Sequence, residues 1–450
     1  MKDVFRKKPQ FFRVALLVLL AMFCMGRVYY YWEHASEIAN NMKLENGRSN
    51  DWVEIARCAK KTGQIFVLCD HGPVQLAEEI DQADDRGHSL LISIWSFFQN
   101  RPVELLDLVR INLLINVIGI LALTWLFWLF KMELVSLFLV VTGFAFGLVL
   151  EEKASDVVSA SLGIYCLVIS TTLTMLYLIA RKRQGKPFVG GLVYIFLALS
   201  WASLLRQSIA LGGVATILLS LFFCRKFYSN IMTWKKFGAF LLIVGISAFV
   251  IPSNILYLRP ALGGPPVSHK KVTAHGFSHA LYLGLGTEAN PWGIVWNDWV
   301  AEQNVRKLEP DIIYLSDHYF DTIRSMYFKI LMNDPLTVTR IYLSKAVSAI
   351  DNICRHQWGL LSIGFFIYLI CLRISWHRWK DRLFLDYLLL DFAVTLPIFF
   401  VVLLGVLANP HKAYYFDFAS ICLGLILFVA LNSIYVMTGS KEEENKPVSF

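Results

Sequence analysis

Long apolar runs, separated by short polar turns, occupy most of this 450-residue chain. The hydrocarbon core of a bilayer is about 30 Å thick, and a helix needs about 20 apolar residues to cross it. Continuous apolar runs of this length are typical of membrane-spanning helices. The pattern predicts ten spans, at residues 11–31, 110–130, 133–150, 157–180, 188–205, 207–224, 236–257, 357–376, 383–408 and 414–437.

Positive charges fall mainly between alternate spans. With the N-terminus in the cytoplasm, the short inner loops hold thirteen Lys and Arg residues, and the short outer loops hold three. Cytoplasmic loops of membrane proteins carry such an excess. We therefore predict that both termini are cytoplasmic. Because no small-residue cleavage site follows the first run, we expect it to stay as an uncleaved anchor.

The same orientation places two long polar segments outside the membrane and divides the chain into six parts. The predicted parts are a cytoplasmic N-terminus with the first span (1–31), a first exoplasmic loop with a surface helix (32–109), a six-span bundle (110–257), a second large exoplasmic loop (258–356), a three-span bundle (357–437) and a cytoplasmic tail (438–450). The predicted fold class is an all-α polytopic membrane protein.

Composition agrees with this class and excludes others. Charged residues make up 17% of the chain, well below the roughly 25% that is usual in soluble domains. The net charge of +8 is concentrated in the inner loops, and no basic stretch is interleaved with aromatic residues in a polar domain, so we predict no nucleic-acid partner. Sequence motifs of nucleotide hydrolysis, serine hydrolases and zinc proteases are absent, so a group-transfer donor would have to arrive already activated.

The first long loop contains two local signals. Residues 51–61 (DWVEIARCAKK) combine apolar and basic side chains and predict a short amphipathic helix on the membrane surface. Cys58 and Cys69 lie in the same outer loop. Because disulfides form in oxidising compartments, we predict that these two cysteines are paired.

The second long loop predicts two helices before the eighth span. Ser316 is expected to cap the first, and Pro335 to begin the second. Trp292, Trp296 and Trp299 lie earlier in this loop. They could stack on sugar faces or anchor the loop at the membrane interface.

Ionisable side chains concentrate at the predicted outer ends of the spans. Some polar residues are needed there simply to end helices, but ionisable groups within a bundle are candidates for a functional site. Arg206 is the hardest to explain as a helix end, because almost no aqueous loop surrounds it. The candidates are Asp51 and Glu54, then Glu151, Glu152 and Asp156, then Arg206, and finally His411, Lys412 and Asp417.

This layout resembles the GT-C superfamily of polytopic membrane glycosyltransferases, which includes protein O-mannosyltransferases and lipid A aminoarabinose transferases. Residues 50–66 (NDWVEIARCAKKTGQIF) resemble the acidic and aromatic residues and the I-A-R stretch of that family's first outer loop. The EEKASD turn at 151–156 fits its acidic second loop. The resemblance implies Asp51 as catalytic base, Glu151, Glu152 and Asp156 as supporting acids, and Arg206, Lys412 and His411 as contacts of the donor phosphate.

One position departs from the family pattern. Trp52 stands where many relatives have a second acidic residue directly after the catalytic Asp. Asp81, Asp84 and Asp85 in the same loop therefore stay open as alternative bases.

The resemblance also implies the substrates. Nucleotide sugars are made in the cytoplasm, so an outer-face transferase needs a donor anchored in the bilayer, such as a polyprenyl-phosphate sugar. The expected acceptor is a glycan or lipid of the cell envelope at a bacterial inner membrane. No cofactor is implied with certainty and no metal ligand set is assigned, but the carboxylates of residues 151–156 could hold a divalent metal with the donor phosphate.

Two other functions stay open at this point. An O-antigen polymerase or ligase would depend on Arg259, Arg324 and His318 in the second loop. A lipid or glycan transporter or flippase would need broken helices at mid-membrane depth. The predicted spans contain proline only at Pro252 and Pro397, which do not form a matched pair, and this disfavours transport.

Overall fold

The computed structural model of the chain describes most of its N-terminal three quarters. The described residues are 9–45, 47–69, 75–77, 86–129, 136, 139–141, 143–144, 161–180, 186–227, 233–268, 276–349, 351, 403 and 406–409. This part of the chain is mostly helical. It contains three helices long and apolar enough to cross a membrane, Leu105–Leu129, Phe188–Leu205 and Trp234–Ala261. The protein is therefore a helical membrane-protein candidate by structure as well as by sequence.

Twelve helices are described along the chain. In chain order they are α1 (Pro9–Glu45), α2 (Gly47–Thr62), α3 (Arg86–Phe98), α4 (Leu105–Leu129), α5 (Ser161–Ala180), α6 (Lys186–Leu205), α7 (Gln207–Phe227), α8 (Trp234–Ala261), α9 (Phe277–Gly284), α10 (Asp298–Arg306), α11 (Asp317–Asn333) and α12 (335–349). Two short antiparallel strands, β1 (Val67–Leu68) and β2 (Gln75–Leu76), lie between α2 and α3.

The predicted spans compare well with the helices that the structure describes. The predictions at 110–130, 188–205 and 236–257 correspond to the three span-length helices, and α5 and α7 cover the predictions at 157–180 and 207–224. Helix α1 continues to Glu45, well past the predicted end of the first span at residue 31, because residues 32–45 contain no glycine or proline to stop it. The predictions at 133–150 and 383–408 lie largely, and those at 357–376 and 414–437 wholly, outside the described residues.

Helices α4 and α5 pack backbone against backbone at a pair of glycines. A Cβ on Gly119 would lie 2.2 Å from the carbonyl oxygen of Gly163, which leaves no room for a side chain. The approach is supported by Asn116, whose Oδ1 accepts a hydrogen bond of 2.7 Å from the Gly163 amide. Small residues allow such close packing in membranes, where helices gain little from apolar burial.

Helix α8 is interrupted where its proline requires it. Pro252 has no amide hydrogen, so the carbonyl of Ala248 loses its usual helical donor. Ser203 of α6 donates its hydroxyl to that carbonyl at 2.8 Å. The chain around the proline passes through a π-helical segment (Ile246–Val250) and a 3-10 segment (Ile255–Tyr257). This interruption is therefore compensated by a neighbouring helix rather than left open.

The two long loops meet at one end of the bundle. A buried apolar cluster joins Ile55 and Phe66 of the first loop to Leu204 at the end of α6 and Leu256 near the end of α8. Arg259, which is fully buried, fastens this arrangement. Its guanidinium donates to the carbonyl oxygens of Phe66 (3.1 Å), Pro265 (2.9 Å) and Pro266 (2.9 Å).

The structure confirms the disulfide and corrects the setting of the first-loop helix. Cys58 and Cys69 are bonded, with their Cα atoms 5.7 Å apart.

The predicted helix is present as α2, but its apolar residues Trp52, Ile55 and Ala59 are fully buried within the protein. Packing against α3 has replaced the expected contact with the membrane surface.

The second loop has a hydrophobic core of its own, built from α9 to α12. As predicted, Ser316 caps α11, accepting a hydrogen bond of 3.2 Å from the Tyr319 amide. Tyr319 and Ile323 are fully buried on one face of that helix. Asp334 is the residue at which α11 ends, and Pro335 is the first residue of α12, as predicted.

Candidate functional site at the outer end of the bundle

The carboxylate predicted as catalytic base lies at the junction of α2 and α3. Asp51 is half-buried, and the next residue, Trp52, is completely buried. The Trp52 ring stacks on the imidazole of His88 in α3, with ring centroids 4.6 Å apart and planes 13° from parallel. The first turn of α3 therefore fixes the position of α2 next to Asp51.

A glycine brings α3 close to the end of α6. A Cβ on Gly87 would lie 2.7 Å from the carbonyl carbon of Leu204, so only glycine permits the observed contact. Leu204 is two residues before Arg206, and Gly87 directly precedes His88. The close approach thus places the His88 ring near the turn between α6 and α7.

Arg206 occupies that turn and acts electrostatically on His88. Its backbone continues both helices, because its amide donates to the Ala202 carbonyl at 2.8 Å and its carbonyl accepts from the Ala210 amide at 3.2 Å. Burial and the positive charge of Arg206 together lower the pKa of His88 to about 3. The imidazole is therefore neutral at physiological pH.

His88 is the site residue that sequence reasoning missed. It is fully buried, and its Nδ1 has no hydrogen-bond partner within the described part of the chain. Buried unsatisfied polar atoms are rare and often occur where function requires them. The signal in the sequence was a polar stripe, since Ser89, Ser93 and Ser96 of the same short helix are buried as well.

The predicted site residues are only partly within the described structure. Asp51 and Arg206 are both described: Asp51 lies in α2, which the Trp52–His88 stack joins to α3, and Arg206 lies in the turn between α6 and α7, two residues after the Gly87–Leu204 contact. In the ranges that the structure describes, there is no group of three His, Cys, Asp or Glu side chains suited to a metal ion. Glu151, Glu152, Asp156, His411, Lys412 and Asp417 lie outside the described residues, as do the alternative bases Asp81, Asp84 and Asp85.

The basic side chains of α2 have structural partners. Arg57 donates its Nε to the carbonyl of Val103 at 2.7 Å. Lys60 donates to the carbonyls of Gln99 and Arg101 at 2.6 and 2.8 Å. These cations hold the loop before α4 against α2, so they contribute to the framework of the site.

Asp107 is a buried carboxylate of the same region that is also used structurally. Arg101 binds both of its oxygens, at 2.9 and 2.8 Å, and the Glu104 amide donates to it at 2.9 Å. Both carboxylate oxygens of Asp107 thus accept hydrogen bonds from within the protein, which gives this residue a structural function.

The second loop contains a histidine that is held on both sides, which we call the His279 brace. His279 is buried, with its Nδ1 2.8 Å from the Tyr319 hydroxyl and its Nε2 2.9 Å from Oδ1 of Asp298. The acidic partner, Asp298, lies 19 residues further along the chain. The brace ties α9, α10 and α11 together.

A buried lysine connects the same loop to the end of the predicted ninth span. Lys345 of α12 donates its Nζ to the carbonyls of Gly284 (2.9 Å), Leu407 (3.0 Å) and Ala408 (2.7 Å). Burial lowers the pKa of Lys345 to about 7, against the opposing effect of the negative charge on Glu288. The carbonyls of Leu407 and Ala408 come shortly before the predicted phosphate contacts at 411 and 412.

The residues on which a polymerase or ligase would depend are engaged within the protein. Arg259 is buried among carbonyl oxygens, as described above. Arg324 pairs with Asp321 at 2.8 Å, and His318 pairs with Glu309.

Comparison of the chain with protein-family models, with curated proteins and with solved structures finds no match. What can be inferred about function therefore comes from the residues at the end of the bundle where the two long loops meet.

Proposed function

We propose that the chain is a membrane glycosyltransferase of the GT-C type. It would move a sugar from a polyprenyl-phosphate donor to a glycan or lipid of the cell envelope. One observation supports this most directly. The charge of Arg206 acts on His88, whose ring stacks on Trp52 beside Asp51. The stack thus connects α2, which contains Asp51, to α3, whose first turn approaches the end of α6 just before Arg206.

The proposal includes ten spans with both termini in the cytoplasm of a bacterium and the site on the periplasmic face of its inner membrane. The excess of Lys and Arg in the short inner loops supports this orientation. The Cys58–Cys69 disulfide supports the same orientation independently, because disulfides form and persist mainly in oxidising compartments.

The proposed reaction is an inverting displacement. Asp51 takes the proton from a hydroxyl group of the acceptor. The acceptor oxygen attacks the anomeric carbon of the sugar from the side opposite the phosphate and forms the new glycosidic bond. The bond between the anomeric carbon and the phosphate oxygen breaks, and its electron pair leaves with the polyprenyl phosphate. No nucleotide is consumed, because the energy of transfer is stored in the donor.

Cations would assist this step by neutralising the leaving phosphate. Arg206 suits this function because its planar guanidinium can bind two phosphate oxygens at once. Lys412 and His411 are proposed as further contacts of the same phosphate. The half-buried position of Arg206 in a membrane turn favours an anionic lipid headgroup as its ligand.

The proposed base is tested by a pair of variants on one helix. Asp51→Asn removes the base, while Glu54→Gln removes a half-buried carboxylate one turn further along α2. Each variant replaces the wild-type chain in its own host, and mass spectrometry of the envelope glycans and lipids measures one specific sugar addition. We expect the addition to disappear in Asp51→Asn and to persist in Glu54→Gln, with equal protein levels. Full modification in Asp51→Asn would exclude Asp51 as the base.

A further inference from the structure

Helix α12 has apolar residues on two opposite sides. Val338, Ile341 and Ala349 are buried on one side. On the other side Leu343 and Val347 are exposed, together with Leu336, which lies about two turns earlier on the same face. Spacings of four, seven and eleven residues bring side chains to the same face of a helix. A helix that faces water on its open side would be expected to carry polar residues there.

The buried side of α12 fixes its height relative to the bundle. Ala349 belongs to the main core of the bundle. Lys345 binds the carbonyls of Leu407 and Ala408, at the end of the predicted ninth span. In the proposed ten-span topology, these contacts put the second half of α12 level with the outer ends of the spans.

Helix α11 extends the exposed apolar surface. Its open face is polar at Asp321 and Ser325, and becomes apolar at Phe328 and Met332, close to the turn that leads to α12. We call the joint surface the apolar hairpin face. Its members, Phe328, Met332, Leu336, Leu343 and Val347, are between 50% and 82% exposed.

Two exposed basic residues accompany this face. Arg340 lies between Leu336 and Leu343 on α12, and Lys329 follows Phe328 on α11. Long basic side chains can bury their apolar stems while the charged ends reach lipid phosphates. A helix surface that combines apolar and basic residues is typical of segments lying in the interface of a bilayer.

We propose that the apolar hairpin face lies in the headgroup region and upper acyl region of the outer leaflet. The occupant is lipid rather than protein, because the face is continuous with the level of the span ends and because its charges match anionic headgroups. The second loop then rests on the membrane beside the bundle. This inference rests on the orientation in the proposed function, but not on the proposed sugar transfer.

The test measures membrane contact at single positions. The full-length protein, with Leu336, Leu343 or Val347 replaced by Cys and spin-labelled, is reconstituted into nanodiscs containing phosphatidylglycerol and phosphatidylethanolamine. Ser325→Cys on the polar face of α11 is the matched control. Power saturation compares the accessibility of each label to oxygen, which concentrates in lipid, with its accessibility to a water-soluble nickel chelate.

We expect labels at positions 336, 343 and 347 to be more accessible to oxygen than to the chelate. The label at position 325 should be more accessible to the chelate. Greater access of the chelate at all four positions would place the face in water and overturn the proposal. Labels that neither reagent reaches would indicate a protein partner or a second copy, and would overturn it too. Because all four residues are exposed, their substitution should not disturb folding, and gel filtration with circular dichroism of each labelled protein checks this.

Discussion

The two long loops each bury a histidine, but the hydrogen bonding of the two imidazole rings differs. In the second loop, each ring nitrogen of His279 has a partner, Tyr319 on one side and Asp298 on the other. In the first loop, the Nδ1 of His88 is buried without a partner among the described residues. A satisfied buried polar group stabilises a fold, whereas an unsatisfied one costs free energy and needs another explanation. The hydrogen bonds of His279 explain a structural function in the second loop, whereas the unsatisfied His88 is the observation on which the proposed site in the first loop rests.

The largest expected effect concerns the bracing lysine of the second loop. Lys345→Met removes the lysine donor from the carbonyls of Leu407 and Ala408, and from that of Gly284, which keeps its hydrogen bond from the Thr287 hydroxyl. We expect the free energy of unfolding to fall by about 3 kcal/mol. Denaturant titration in detergent measures it, with Lys329→Met, an exposed lysine of α11, as control. Equal stability of the two variants would mean that Lys345 does not brace the loop.

Gly87→Ala tests how closely the first loop must approach the bundle. The new Cβ would lie 2.7 Å from the backbone of Leu204, so the start of α3 must move away from Arg206. We expect a loss of about 2 kcal/mol in stability and loss of the proposed sugar addition.

Gly190→Ala provides the control for that substitution. It places the same methyl group in α6, where nothing lies within 4 Å. Thermal unfolding and the envelope-glycan assay should show little change for this variant. If Gly87→Ala behaved in the same way, the close contact would not be needed for the site.

The sequence predicted features that depend on neighbouring residues. Span-length helices follow from continuous apolar runs, and the cap at Ser316 follows from the residues that come after it. The Cys58–Cys69 pairing needed only a shared outer loop. Arg206 was identified because a short turn between two spans leaves a cation few alternatives.

Contacts between distant residues could not be predicted in this way. Trp52 and His88 are far apart in the chain, and so are His279 and Tyr319. No local pattern contains such pairs, because they depend on how α2 packs on α3 and α9 on α11. For the same reason the apolar side of α2 was assigned to the membrane, although it packs against protein.

Arg206→Gln tests the proposed phosphate contact at the turn between α6 and α7. Undecaprenyl phosphate is the probe, and its binding to protein in detergent is measured by native mass spectrometry. We expect about a tenfold weaker affinity, which corresponds to about 1.4 kcal/mol. Arg225→Gln is the control, because Arg225 lies at the end of α7 and stacks on Trp234. This variant should bind undecaprenyl phosphate as the wild type does. Equal weakening in both variants would indicate non-specific attraction to the probe.

The smallest expected effect at neutral pH comes from His88→Phe. The phenyl ring keeps the stacking on Trp52 and removes a nitrogen that has no partner in the described chain, so stability at pH 7 should change by less than about 1 kcal/mol. At lower pH the wild type and the His88→Phe variant should differ in stability. The pKa of His88 is lowered from 6.5 to about 3 by burial and Arg206. Between these values the unfolded chain binds a proton that the folded chain does not, so the wild type loses stability as the pH falls.

The variant lacks this loss, so we expect it to become more stable than the wild type between pH 6.5 and pH 3. Thermal unfolding at a series of pH values measures the difference. His318→Phe, at an exposed histidine, is the control and should follow the wild type. A constant difference between His88→Phe and the wild type across this range would contradict the buried, neutral state of His88.

The claim that the first loop and the turn at Arg206 form one lipid-phosphate site is tested most directly by cryo-electron microscopy. The map would be of the full-length protein in nanodiscs with undecaprenyl phosphate. We predict phosphate density against the Arg206 guanidinium, on the side of the bundle where Trp52 and His88 stack, with the Asp51 carboxylate facing the same space. Density confined to other surfaces, such as the region of α9 to α12, would contradict the account.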